Sequence, residues 1–159
     1  MTVRPLARQD LELVCGWVES EALLFQCSAD TFQFPLNPQD LLAYHAAHPH
    51  RLPYLLMHPG LGPAGVGEII PEPPDAPRLA RLLIAPGMRG RGMGEQLVRL
   101  LSAECQARFP GCRVTLFVLE TNHQAIACYQ KAGFGWSDEP GRTLQFNGQA
   151  LQALKMQLR

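Results

Sequence analysis

No stretch of the chain approaches the ~18 consecutive apolar residues that cross a bilayer, and Met1–Leu6 lacks the apolar core of a secretory leader. Net charge is missing as well. Fourteen basic residues balance fourteen acidic ones, so the chain has no bulk attraction for nucleic acid or an anionic membrane. Paired cysteine motifs are absent. The five cysteines, Cys15, Cys27, Cys105, Cys112 and Cys128, are odd in number, and none forms a C-x-x-C pair. That excludes a disulfide framework and a cysteine zinc site as organising features, and it suggests free thiols in a reducing compartment. His45, His48 and His50 lie close together, but Pro49 interrupts their helix and no metal-ligand spacing results. No metal and a cytoplasmic location are expected.

What remains is a globular composition. Apolar residues make up 47% and charged residues 18% of 159 positions, which places the chain among folded proteins and suits one domain over residues 1–159. Thr2–Leu6 reads as a short edge strand. Asp10–Glu19 has helical spacing at Leu11, Val14 and Val18. Ser20 caps a second helix, and Asn37-Pro38 opens a third that runs to His48. Asp30–Pro38 is a loop with apolar aromatics, placed either over the core or beside an acceptor pocket. Arg51–Met57 and Val66–Ile70 form a hairpin around the turn at residues 58–63. Arg78–Ile84 is the next strand. Gly92–Phe109 is a helix with its stripe at Leu97, Val98, Leu101, Cys105 and Phe109. Arg113–Leu119 is a central strand, Asn122–Ala132 a helix stopped by Gly133, and two strands joined at Asn147-Gly148 close the chain. This order predicts an α/β layered fold with one parallel crossover.

The chemistry concentrates where a strand runs into a glycine-rich turn and a helix, from Leu82 to Glu95. Glycines at 90, 92 and 94 let backbone N–H groups approach a ligand. A helix start offers unpaired N–H donors and a positive dipole end, so a phosphate or pyrophosphate is the expected guest, with Arg89 and Arg91 adding charge. A purely structural turn would use the same glycines. Two better-known phosphate loops fit badly. Gly94 is followed by Glu95-Gln96 where a P-loop needs Lys-Ser/Thr, and the glycine spacing is not G-x-G-x-x-G.

Arg89-x-x-Gly92-x-Gly94, preceded by Ile84-x-Pro86, resembles the acyl-CoA-binding motif of the GNAT superfamily of N-acetyltransferases. Downstream, Asn122-x-x-Ala125-x-x-Cys128-Tyr129-x-x-x-Gly133-Phe134 is similar to the family's second motif, with Cys128 in place of the usual leucine. The resemblance implies a mixed, mostly antiparallel sheet with a splayed parallel strand pair, Arg78–Ile84 and Arg113–Leu119, flanked by helices. It implies acetyl-CoA as cosubstrate. Backbone groups of Leu82, Leu83 and Ile84 would hold the pantetheine arm, and those of Arg89, Gly90, Arg91, Gly92, Met93 and Gly94 the pyrophosphate. Asn122 would bond the arm, and Tyr129 would be the general acid toward the leaving thiolate. Without that motif, Tyr129 reads as an interior aromatic.

The resemblance supplies no general base. Relatives that acetylate ribosomal protein N-termini carry a glutamate five residues before the motif asparagine; here Phe117 stands there. Others carry one at the start of the strand before the loop, where this chain has Pro77-Arg78. Glu68 and Glu120 remain, each also readable as a solvated surface carboxylate, and a water chain is a further route. Of the two, Glu68, on the strand flanking the acyl-donor strand, is the candidate base. The expected reaction is acetyl transfer to a primary amine by direct attack. The expected partner is a small-molecule or peptide amine, with a homodimer as a further association. A non-catalytic acyl-CoA-binding module of the same fold is the competing reading.

Overall fold

The computed structural model describes residues 1–159. Eight strands form one sheet in the order β1-β2-β3-β4-β5-β8-β6, with β7 also on β8. They are β1 (Thr2–Pro5), β2 (Leu52–His58), β3 (Gly62–Ile70), β4 (Arg78–Ile84), β5 (Thr115–Leu119), β6 (Phe134–Trp136), β7 (Arg142–Phe146) and β8 (Gln149–Leu158). All neighbours are antiparallel except β4 and β5. β5 takes one edge of β8, and β6 and β7 lie end to end along the other. Five helices flank the sheet: α1 (Leu11–Gly16), α2 (Glu21–Ser28), α3 (Pro38–Ala47), α4 (Met93–Arg108) and α5 (His123–Lys131). None is long and apolar enough to cross a membrane. The expected mixed sheet with one parallel pair is therefore what forms.

Local chemistry explains most element ends. The Ser20 hydroxyl accepts from Leu23 N–H at 3.1 Å and starts α2. Asn37 and Asp40 form a reciprocal capping box at α3, with Pro38 in the first turn. Asp10 takes two hydrogen bonds from Arg4, at 2.7 and 2.9 Å, and one from Ala7 N–H, which ties the first turn to β1. Four of the five expected stripe positions of α4, Leu97, Val98, Leu101 and Cys105, are each at most 1% exposed and face the sheet, while Phe109 is the C-cap beyond the helix and only half-buried. β3 separates two layers. Gly67 faces α4 so closely that a Cβ there would lie 2.6 Å from Leu101 Cδ1. The next residue, Glu68, points to the opposite face, where Tyr44 of α3 bonds it.

Three expectations change. The helix expected over Asp10–Glu19 is a 3₁₀ turn at Arg8–Asp10 followed by α1, which ends at Gly16. Arg89, distant in sequence, reaches the Trp17 carbonyl at 3.5 Å and Glu19 at 3.0 Å, so this segment is held by a tertiary tie rather than by another helical turn. β3 begins at Gly62 rather than Val66. Gly65 is needed there, because a Cβ on it would lie 2.8 Å from Ile84 Cδ1. The short β6 is an additional strand.

Candidate active site

β4 and β5 pair only at Arg78 with Thr115 and Leu79 with Leu116. Beyond that point β4 continues to Ile84 and β5 to Leu119 without pairing, so the sheet opens between them. A bulge reinforces the divergence. Arg81 and Leu82 together oppose Gly67 of β3, and Arg81 adopts φ 51°, a conformation uncommon outside glycine and concentrated at bulges and functional sites.

The opening leads into a cleft of ≈ 590 Å³. Leu82, Leu83 and Ile84 form one wall, the Arg89–Glu95 turn another, and Asn122 and Tyr129 of the α5 segment a third. Gly90 and Gly92 hold the turn with φ of 75° and 76°. α2, α3 and α5 each start with a side-chain cap, but the sixteen-residue α4 does not. Its first intrahelical bond runs from Gln96 N–H to the Gly92 carbonyl, which leaves the N–H groups of Met93, Gly94 and Glu95 without helical partners at the cleft wall. Uncapped donors at the positive end of a long helix dipole, reached through a backbone free of side chains, fit an anionic phosphate group. Gly94 also sits close to α5, where a Cβ would meet Cys128 Sγ at 3.0 Å.

Two expected contributors are placed otherwise. The Arg89 side chain lines the cleft but is engaged with Glu19, Trp17 and the Ile84 carbonyl, so it anchors the end of β4 to the chain after α1. Arg91 is exposed and does not line the cleft. Asn122 caps α5 through Ala125 N–H at 3.3 Å and still borders the cleft.

Tyr129 packs against the core with its ring in the cleft. Burial, with the Cys128 and Cys27 thiols adding to it, pushes its phenol above the ordinary range, so it stays protonated. Glu68 is 2% exposed, which corrects the reading of a solvated carboxylate. It forms an ion pair with Arg81 and accepts from the Tyr44 hydroxyl at 3.0 Å, while its Oε1 is buried without a partner. Tyr44 accepts in turn from Arg51 at 2.7 Å, and burial first, then Glu68, raises its phenol pKa. Glu68 borders a small cavity of ≈ 40 Å³ with Cys27, Phe32, Leu36 and His45, so part of the aromatic loop folds over this space. Glu120 is exposed beyond the end of β5.

A third space, ≈ 200 Å³, lies at the β4–β5 opening and shares Gln26 and Cys27 with the larger cleft. Asp30 and Thr31 border it, together with Arg51, Arg78, Arg81, Phe117 and Arg142. The sequence offered no local signal for this group, because its arginines come from the bend before β2, from β4 and from β7, and each reads alone as a surface residue.

Comparison with known proteins agrees with this geometry. The model of the Acetyltransferase (GNAT) family matches residues 21–134. A mycothiol acetyltransferase from Thermobispora bispora is 38% identical over 101 residues, covering 62% of this chain and 31% of the relative. The chain thus matches about a third of that relative's length. Among solved structures, the spermidine N-acetyltransferase from Vibrio cholerae in complex with CoA and spermine superposes with a TM-score of 0.81 at 17% identity, over 99% of this chain and 94% of that one. The ribosomal-protein-alanine N-acetyltransferase from Brucella melitensis does so with a TM-score of 0.78 at 18% identity, over 99% and 98%. At such identities the superpositions establish the fold, and the family match over most of the chain establishes more: the chain with the split sheet and the uncapped α4 belongs to the GNAT family of acetyltransferases.

Proposed function

We propose that the protein transfers an acetyl group from acetyl-CoA to a primary amine by direct attack, acting as one domain. The observation that carries this reading is the convergence of three features on one cleft: the uncapped N-terminus of α4, the free edge of β4 at Leu82–Ile84, and the protonated Tyr129. Unpaired N–H groups of residues 93–95, with the backbone of the glycine turn, hold the pyrophosphate. Backbone groups of Leu82–Ile84 bond the pantetheine arm and polarise the thioester carbonyl, a preorganised arrangement that favours the charge developing on oxygen. Asn122 adds a bond to the arm.

The amine nitrogen forms the new C–N bond as the C–S bond breaks. Its surplus proton leaves through water to Glu68, which borders the small cavity rather than the cleft, and the thiolate is met by the Tyr129 hydroxyl. A half-buried phenol with a raised pKa is a weaker acid than an ordinary thiol, whose pKa is about 8.5. Tyr129 therefore stabilises the leaving sulfur first as a hydrogen-bond donor. The sulfur takes that proton as the C–S bond breaks, and the phenol is restored through solvent by the proton that the amine gave up.

The test is release of free thiol from acetyl-CoA across a panel of amines. Tyr129→Phe is expected to bind acetyl-CoA and to lower kcat by about tenfold to a thousandfold. Full activity in that variant would reduce Tyr129 to packing. Coenzyme binding without thiol release from any amine would favour a binding module instead.

A further inference from the structure

The ≈ 200 Å³ space beside the cleft has an unusual charge balance. Four arginines line it, against one carboxylate, Asp30. Two of the four have partners: Arg81 is paired with Glu68, and Arg51 donates to Tyr44 and lies 3.6 Å from Glu72. Arg78 and Arg142 have no ion pair. Both lie against the Phe117 ring, Arg142 at 4.0 Å and Arg78 at 5.7 Å from its centroid, and Lys155 approaches the same ring at 5.8 Å. Cation–π contact fixes their orientation but neutralises no charge. Burial, followed by repulsion from Arg142, Arg81 and Arg51, pulls the Arg78 pKa down to about 10. A partly buried guanidinium left without a counter-charge is costly, and a bound anion would relieve it.

Resting on the acetyl-transfer reading, we propose that the amine acceptor carries an anionic oxygen group, a carboxylate or phosphonate, held between Arg78 and Arg142 above Phe117. Guanidinium groups suit such oxygens because they donate in a planar fork. The space amounts to about six or seven water volumes, which fits an amino-acid-sized ligand. It adjoins the acyl cleft at Gln26 and Cys27, so a ligand anchored by its anion can extend its amine toward the thioester. The same field disfavours a polycation, and it disfavours the ammonium form of the bound amine, which delivers the nucleophile in the state that attacks.

The experiment compares kcat/KM, by thiol release, for L-amino acids, their carboxamides, aminoalkylphosphonates and spermidine. At least one acid is expected to exceed its own carboxamide by about tenfold or more, with spermidine poorest. The better of the carboxylate and phosphonate series names the anion. Arg142→Met, at an exposed position, and Arg78→Met are each expected to raise KM for that acid by about tenfold, with Arg78→Lys recovering part of the loss. Equal or better turnover of a carboxamide or of spermidine overturns the proposal and leaves acetyl transfer standing. Should no amine release thiol, calorimetry with the N-acetylated amino acids decides. Binding that is lost in Arg142→Met supports the anion site and sinks acetyl transfer, whereas no binding sinks both.

Discussion

Glu68 sits where a buried ion pair meets a candidate proton path. One of its oxygens serves Arg81 and Tyr44, and the other is buried and free. Two roles are therefore open to one side chain, and they respond differently to Glu68→Gln. Removing the charge leaves the partly buried Arg81 without its partner, which costs up to about 3 kcal/mol, the low end of the scale of broken buried pairs, and lowers the melting temperature in either case. If the carboxylate also accepts the amine's proton, kcat/KM of the wild type falls toward acid, and that acid limb flattens in the variant. A retained limb would take Glu68 out of the proton path and leave it as the residue that positions Arg81. The exposed Glu120→Gln is the companion measurement. Single residues were the hardest part of the site to read from sequence. Glu68 looked like any strand carboxylate, because its partners Tyr44 and Arg81 lie 24 and 13 positions away. Arg89 looked like a phosphate ligand because the motif includes it, yet its guanidinium points to Glu19.

Elements were more legible where the chain states its own boundaries. β4 occupies the expected Arg78–Ile84, and α4 and α5 fall within a residue or two of expectation, because glycines and polar caps bracket regular apolar patterns. β3 was read short because Gly62–Gly65 looks like a turn. Only the closeness of β4, invisible in sequence, demands a residue without a side chain at Gly65. β6 has three residues, too few to show a period. The turn before α4 allows a clean test of the element itself. Gly92 is the helix N-cap with φ 76°, a conformation that aspartate tolerates better than most residues. Gly92→Asp is therefore expected to fold, at a cost of about 1 kcal/mol. Its carboxylate would lie beside the proposed pyrophosphate site and repel it. Acetyl-CoA should raise the melting temperature of the wild type by mass action and should not raise that of the variant. An undiminished rise in the variant would place the coenzyme elsewhere.

At the scale of the whole molecule, neutrality is an average. Fourteen positive and fourteen negative residues cancel over the chain, while four arginines gather at one space at the mouth of the split. That split has another consequence. A sheet normally has two rims, and this one has four, since the facing sides of β4 after Leu79 and β5 after Leu116 lack a strand neighbour in the middle of the fold. Open rims template association with other extended chains, and proteins ordinarily blunt them with charge, bulges or a cover. Here the bulge at Arg81 is one such device, and an arm of bound coenzyme lying along Leu82–Ile84 would be another. The coenzyme would then protect solubility as well as supply the acyl group. Turbidity on slow heating should rise earlier for the free protein than for protein saturated with desulfo-CoA, a ligand that fills the gap without reacting. Coincident onsets would mean that the inner rims are sealed by the fold itself.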